Sequence, residues 1–203
     1  MKSKKVLLLA LRLAVAAALA SLATHPLAAQ GAREQLNETY FSTGEQACLV
    51  SPLGFTSDQV PVGPAFVQSS SVQGTYRFHA DGTGTAQFKE LLITHPPAPN
   101  AGATSTEQSF AFTYMLADDG TLTLVVVGSV SGTILTGPPP LKGATFTLTD
   151  FPPLSGRVAR NGTAITVSNT APTVETLMVG PFKLARICHR MRLLIPVHVD
   201  TDN

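Results

Sequence analysis

The sequence predicts an all-β chain, a single antiparallel up-and-down barrel of roughly 8–10 strands, with a two-layer β-sandwich as the alternative. Three observations carry this. Thr occurs 24 times and Val 17 times against only 13% charged residues, and β-branched side chains suit a pleated, half-buried surface. Apolar and polar residues alternate with period two in several segments, while no stretch after the leader keeps a helical period for three turns. Asp81-Gly82-Thr83, Asp119-Gly120-Thr121 and Asn161-Gly162-Thr163 sit between such segments as tight-turn signals. Closure into a barrel is preferred to the sandwich because it removes the edges that Thr- and Val-rich strands would expose.

The chain divides into a leader, residues 1–29, and one all-β domain, residues 30–203. Lys2, Lys4 and Lys5 precede an apolar run from Val6 to Ala23, and Pro26-Leu27-Ala28-Ala29 supplies small residues before Gln30. That order of charged, apolar and small-residue regions is a secretory signal peptide. An uncleaved anchor is the alternative, disfavoured by Arg12 inside a run of marginal length. Of the 14 basic residues, four leave with the leader; the remaining ten face 13 acids, a net charge of −3. That balance excludes a nucleic-acid binder as the default and implies no membrane insertion after cleavage.

Residues 30–43 are polar, a frayed start or a short helix over Ala32 to Asn37. Strands follow. Phe110, Phe112, Tyr114 and Leu116 share one face, and Leu122, Leu124 and Val126 alternate with Thr121, Thr123 and Val125. Phe146 and Leu148 alternate with threonines, and Ile165 and Val167 with Ala164, Thr166 and Ser168. Pro- and Gly-rich loops fall at 95–102, 137–140 and 151–153. Cys48 lies in the first strand and Cys188 in the last, and both survive cleavage. In an oxidising compartment an even pair is most simply a disulfide. If the sheet closes, first and last strands are neighbours, and the bridge spans them on the outer or rim side.

Chemistry is sparse. His79, His95, His189 and His198 lack metal-ligand spacing, so no metal and no cofactor is expected. Gly128-Ser129-Val130-Ser131-Gly132 has Val130 where a nucleophile elbow needs serine, and no catalytic residue is nominated. One cluster stands out: Lys183, Arg186, Arg190 and Arg192. In an extended strand Arg186, Cys188, Arg190 and Arg192 share a face, and Ile187, His189, Met191, Leu193 and Ile195 share the other. An anion or carboxylate site is one reading, since Arg presents a bidentate fork. The ordinary case is a solvated outer face, which this cluster is expected to be.

Cys48-Leu49-Val50-Ser51-Pro52-Leu53-Gly54-Phe55, Gly74-Thr75-Tyr76-Arg77-Phe78-His79-Ala80-Asp81-Gly82-Thr83-Gly84-Thr85 and Arg186-Ile187-Cys188-His189-Arg190 together resemble a group of exported bacterial proteins to which no activity is assigned. The likeness implies a periplasmic or extracellular setting. The strand rhythm is also similar to small calycin-like barrels, such as lipocalins and the allene oxide cyclase family, and carries over no functional residue. Three functions are expected in descending order. The first is a non-catalytic binding protein for a small lipophilic ligand, with Phe110, Phe112, Tyr114, Leu122 and Leu124 lining its site and Arg186, Arg190 and Arg192 as candidate polar contacts. The second is an envelope or extracellular protein that acts through a protein partner. The third is a small-barrel isomerase or cyclase.

Overall fold

The computed structural model describes residues 36–139, 141–159 and 162–197. The leader, residues 32–35 of the expected helix, and His198 lie outside the described residues. Leu36 is wholly buried and the first strand starts at Thr39, so much of what reads as a frayed start is structured. Ten strands follow: β1 (Thr39–Ser51), β2 (Phe66–Phe78), β3 (Thr83–Thr94), β4 (Gly102–Leu116), β5 (Thr121–Thr136), β6 (Thr145–Thr149), β7 (Leu154–Val158), β8 (Ile165–Ser168), β9 (Val174–Val179) and β10 (Phe182–Pro196). Among the described residues there is no helix.

All pairings are antiparallel, and one ten-stranded sheet closes into a ring through β1 and β10. From β1 to β5 the strands are neighbours in chain order, joined by short turns or longer loops. The Asp-Gly turns behave as the sequence requires. Gly82 and Gly120 take φ of 84° and 83°, which a Cβ disfavours. Each preceding Asp caps its turn. Asp81 accepts from the Thr83 hydroxyl at 2.7 Å and its amide at 2.9 Å, which holds its carboxyl below the usual value, and Asp119 does the same with Thr121.

Beyond β5 the simple up-and-down order ends. Thr121 to Leu124 pair with β7, whereas Val130 to Thr133 pair with β6. Between them lies a bulge. Four steps along β5, from Val127 to Ser131, oppose two along β4, from Ala111 to Ser109, and Gly128 within it has φ of 74°. The opposite wall divides in the same way: β10 pairs with β9 through Phe182 to Ile187 and with β8 through Met191 to Leu194. Two short arms, β6–β9 and β7–β8, therefore fill the wall between β5 and β10. Asn169 spans the gap left on β10. Its side-chain amide donates to the Cys188 carbonyl at 2.7 Å, and its oxygen accepts from the Arg190 amide at 2.7 Å. A side chain thus does what a neighbouring strand's backbone would do.

The core fills one end of the ring. Tyr40, Tyr76, Phe78, Phe112 and Tyr114 meet mainly edge-to-face, with centroids 5.0–6.4 Å apart where they touch. Leu122, Leu124, Leu154, Ile165 and Leu194 close around them. Large side chains lie over the neighbouring strand where glycine is the register partner. Gly84 pairs with Phe112, and a Cβ there would fall 2.2 Å from its ring. Gly44 pairs with Arg192, and a Cβ there would meet its side chain at 2.7 Å.

Cys48 and Cys188 form the expected disulfide, directly opposite in the β1–β10 register with Cα atoms 4.0 Å apart. Its predicted side is corrected. Both residues are buried on the inward face, packed with Val50, Phe66 and Leu184 rather than on an outer rim. The bridge joins residues 140 apart in sequence, and a closed loop of that length confers roughly 5 kcal/mol at most in the chain-entropy model. Reduction, or Cys188→Ala, should lower the unfolding free energy by several kcal/mol, read as a drop in denaturant midpoint. An unchanged midpoint would show that the strand ladder alone holds the ring shut.

Candidate functional site

The arginines of β10 are the main departure from expectation. Arg186, Arg190 and Arg192 point into the ring and are no more than 7% exposed. The solvated-outer-face reading is therefore corrected: the exposed face carries Met191, Leu193 and Ile195, at 57%, 39% and 48%. Period-two alternation defines two faces without saying which is inside. Here buried partners decide.

The central partner is Glu175 at the start of β9, with no exposed surface. Arg190 grips it bidentately, through Nη1 to Oε1 and through Nη2 to Oε2 at 2.6 Å. The Arg186 Nε donates to the same Oε2 at 3.1 Å. The Arg190 Nε donates to Gln46 Oε1 at 2.7 Å, and its guanidinium stacks on Phe151 with 4.3 Å to the ring centre. The chain continues to β3 and β4. Gln46 Nε2 donates to Glu90 Oε1 at 3.3 Å, and Gln108 Nε2 to Glu90 Oε2 at 3.0 Å. Arg192 Nη1 donates to the Glu45 and Met191 carbonyls at 2.7 and 2.9 Å. Burial pulls Arg190 below the ordinary guanidinium value, and its bond to Glu175 and that residue's charge oppose the pull. Arg192 is lowered by the same cause, opposed by Tyr76 and Glu90.

This polar belt crosses the interior between a filled end and an open one. At the open end lies a cavity of about 340 Å³. Leu92, Ile134, Phe146, Leu177 and Leu184 give it apolar walls, and Pro52, Pro99, Asn100 and Pro139 come from loops around it. Gln68, Glu90, Thr106, Gln108 and Arg186 supply its polar side. A broader depression of about 420 Å³ lies against β1, β2, β3 and β10, but it is shallower and includes the short side chains Ala47, Ser69 and Ser71. A concave, apolar-walled space with few polar groups is the better candidate for a small-molecule site.

Of the residues expected to bind ligand, only Arg186 borders the 340 Å³ cavity. Phe112, Tyr114, Leu122 and Leu124 belong to the filled end, where they pack against one another, and do not border this cavity. Phe110, Arg190 and Arg192 border only a space of about 20 Å³, within the belt. Sequence reading passed over Glu90, Glu175, Gln46 and Asn169. A signal existed for the first two. Glu90 is in phase with Ala86 and Phe88 before it, and Glu175 with Leu177 and Val179 after it, so each interrupts an apolar alternation. Among the described residues no group of His, Cys, Asp and Glu could hold a metal ion.

No family model, curated protein or solved structure matches the chain. What the ring and its cavity define is therefore an architecture, and function is argued from the site itself.

Tyr76 borders the belt, and burial pushes its phenol up to about 12, with Arg192 and Arg190 pulling the other way. A folded-state value above the unfolded one means the native state keeps a proton that the unfolded chain has lost. The resulting stability is complete below about pH 10 and falls as pH rises toward 12. Two units correspond to roughly 2–3 kcal/mol. Unfolding at pH 9 and pH 11.5 should show a smaller alkaline loss in Tyr76→Phe than in the parent; equal losses would contradict this.

Proposed function

We propose that this chain is an exported, non-catalytic binding protein that takes a small lipophilic molecule into the open end of its ring. The observation that carries the reading is the cavity of about 340 Å³, walled by apolar side chains from β3, β5, β6, β9 and β10. Its size falls at the lower end of the range for small-molecule sites. The Cys48–Cys188 disulfide is compatible with export to the periplasm or the extracellular space of a bacterium. We read the strand rhythm as calycin-like, which accords with such a role. Among the described residues that line the cavity, no acid–base pair or activated nucleophile favours an isomerase or cyclase.

A second reading rests on the outer face of β1 and β10. There Phe41 stands opposite Ile195, and Leu193 and Met191 continue the apolar row. Such a row suits a protein partner in the envelope or outside the cell.

The binding reading predicts one saturable site for the neutral fluorophore N-phenyl-1-naphthylamine. Ile134→Trp, which fills the cavity, should weaken binding at least tenfold. Phe112→Leu, in the filled end, should lower stability and leave affinity within about twofold, since core truncation acts through packing. Unchanged binding in Ile134→Trp would place the fluorophore elsewhere and count against the cavity.

A further inference from the structure

We infer that the cavity's occupant is an amphiphile with a carboxylate head, seated head-inward against Arg186, an assignment that rests on the binding reading above. The first argument is the inventory of charge. Among the described residues, Arg186, Arg190 and Arg192 are the buried cations, and Glu90 and Glu175 the buried acids. Both oxygens of Glu175 are held by Arg190, and both oxygens of Glu90 accept side-chain amide bonds. Arg192 and Glu90 also attract one another. The interior therefore holds one positive charge more than its acids balance, and a buried charge without a counter-ion is costly.

Arg186 and Arg190 share the one Glu175 carboxylate, and position selects which arginine an added anion can reach. Arg186 alone of the three borders the 340 Å³ cavity. Its only hydrogen bond to a described residue leaves from Nε, so its two Nη groups are free to form the planar fork that a carboxylate matches.

The second argument is independent of charge. Gln68 and Thr106 border the same cavity, are 6% and 5% exposed, and each buries an oxygen with no hydrogen-bond partner: Gln68 Oε1 and Thr106 Oγ1. Buried polar atoms normally find partners; these are two of four such atoms among the described residues, with Ser42 Oγ and Ser70 Oγ elsewhere, and the two belong to wall residues shared with Arg186, where a polar ligand group would supply what they lack. The Thr106 hydroxyl donates readily to a carboxylate. Turning the Gln68 amide over keeps its 3.1 Å contact with Thr94, the Thr94 hydroxyl now donating, and puts a donor NH2 where the unpartnered oxygen stands. Away from these groups the walls are apolar and call for a hydrocarbon tail. A space of about 340 Å³ suits a tail of medium length.

Calorimetric titration of the oxidised, detergent-free protein with decanoate, decanol and decylammonium tests this. Decanoate should bind at least tenfold tighter than decanol, with decylammonium weakest, and Arg186→Met should bring the acid-to-alcohol ratio near one while decanol affinity holds. If Arg186→Met does not fold, the Gln68→Leu/Thr106→Val variant serves instead, and its ratio should fall at least threefold. Equal or tighter binding of decanol or decylammonium by the parent, or a ratio unchanged in the variant that folds, overturns the carboxylate assignment and leaves the cavity reading standing. Failure of all three probes to bind removes the carboxylate assignment and the cavity reading together.

Discussion

The interior depends on one buried carboxylate. Glu175 is wholly enclosed, and two guanidiniums from β10 converge on it. Charges taken out of water are costly, and their attraction offsets that cost only when geometry and hydrogen bonding are complete. Here Arg190 is bound by Glu175 on one edge, by Gln46 at Nε and by the face of Phe151. With those partners, the charged face of β10 can turn inward. That choice sends Met191, Leu193 and Ile195 outward, against the usual preference.

The same contacts join places where the wall is discontinuous. Arg190 lies in the stretch of β10 between its β9 and β8 partners, and Asn169 pairs with the backbone there. Glu175 enters from β9, Phe151 from the connection between β6 and β7, and Gln46 from β1. One cluster thus ties both short arms to the closing strands. It also separates two interiors: a filled end dense with aromatic rings, and an open end where side chains leave about 340 Å³ free. The disulfide secures the β1–β10 seam on the cavity side of this belt, packed with Phe66 and Leu184, which border the cavity.

Much of the fold was legible. Alternation located the strands, Asp-Gly pairs located two hairpins, and cysteine parity with export located the seam, because each signal is local or depends only on chain order. What was not legible depended on long-range compensation. The Arg186–Arg192 segment alternates equally well in either orientation, and its charges favoured the outside; only Glu175, at the same depth on another strand, reverses that. Phe112 and Leu122 were recognisable as inward-facing, but whether an inward ring fills space or borders a cavity depends on what stands opposite. At Gly84 the missing side chain lets the Phe112 ring lie over the neighbouring strand within the filled end, whereas Ile134 and Leu177 border the space at the other end. The division of β5 between two partners, at the Gly128 bulge, had no signature beyond a glycine in a strand.

A double-mutant cycle between Glu175 and Arg190 tests this account most directly. Breaking a buried pair from either side strands a charge and costs about 3–5 kcal/mol. The account predicts that Glu175→Gln and Arg190→Met each destabilise the oxidised protein by such amounts, and that the double variant loses less than their sum by on the order of 3 kcal/mol. A coupling energy near zero would mean that the two side chains do not meet in the interior, and would contradict the inward orientation of β10 on which the belt and the cavity both rest.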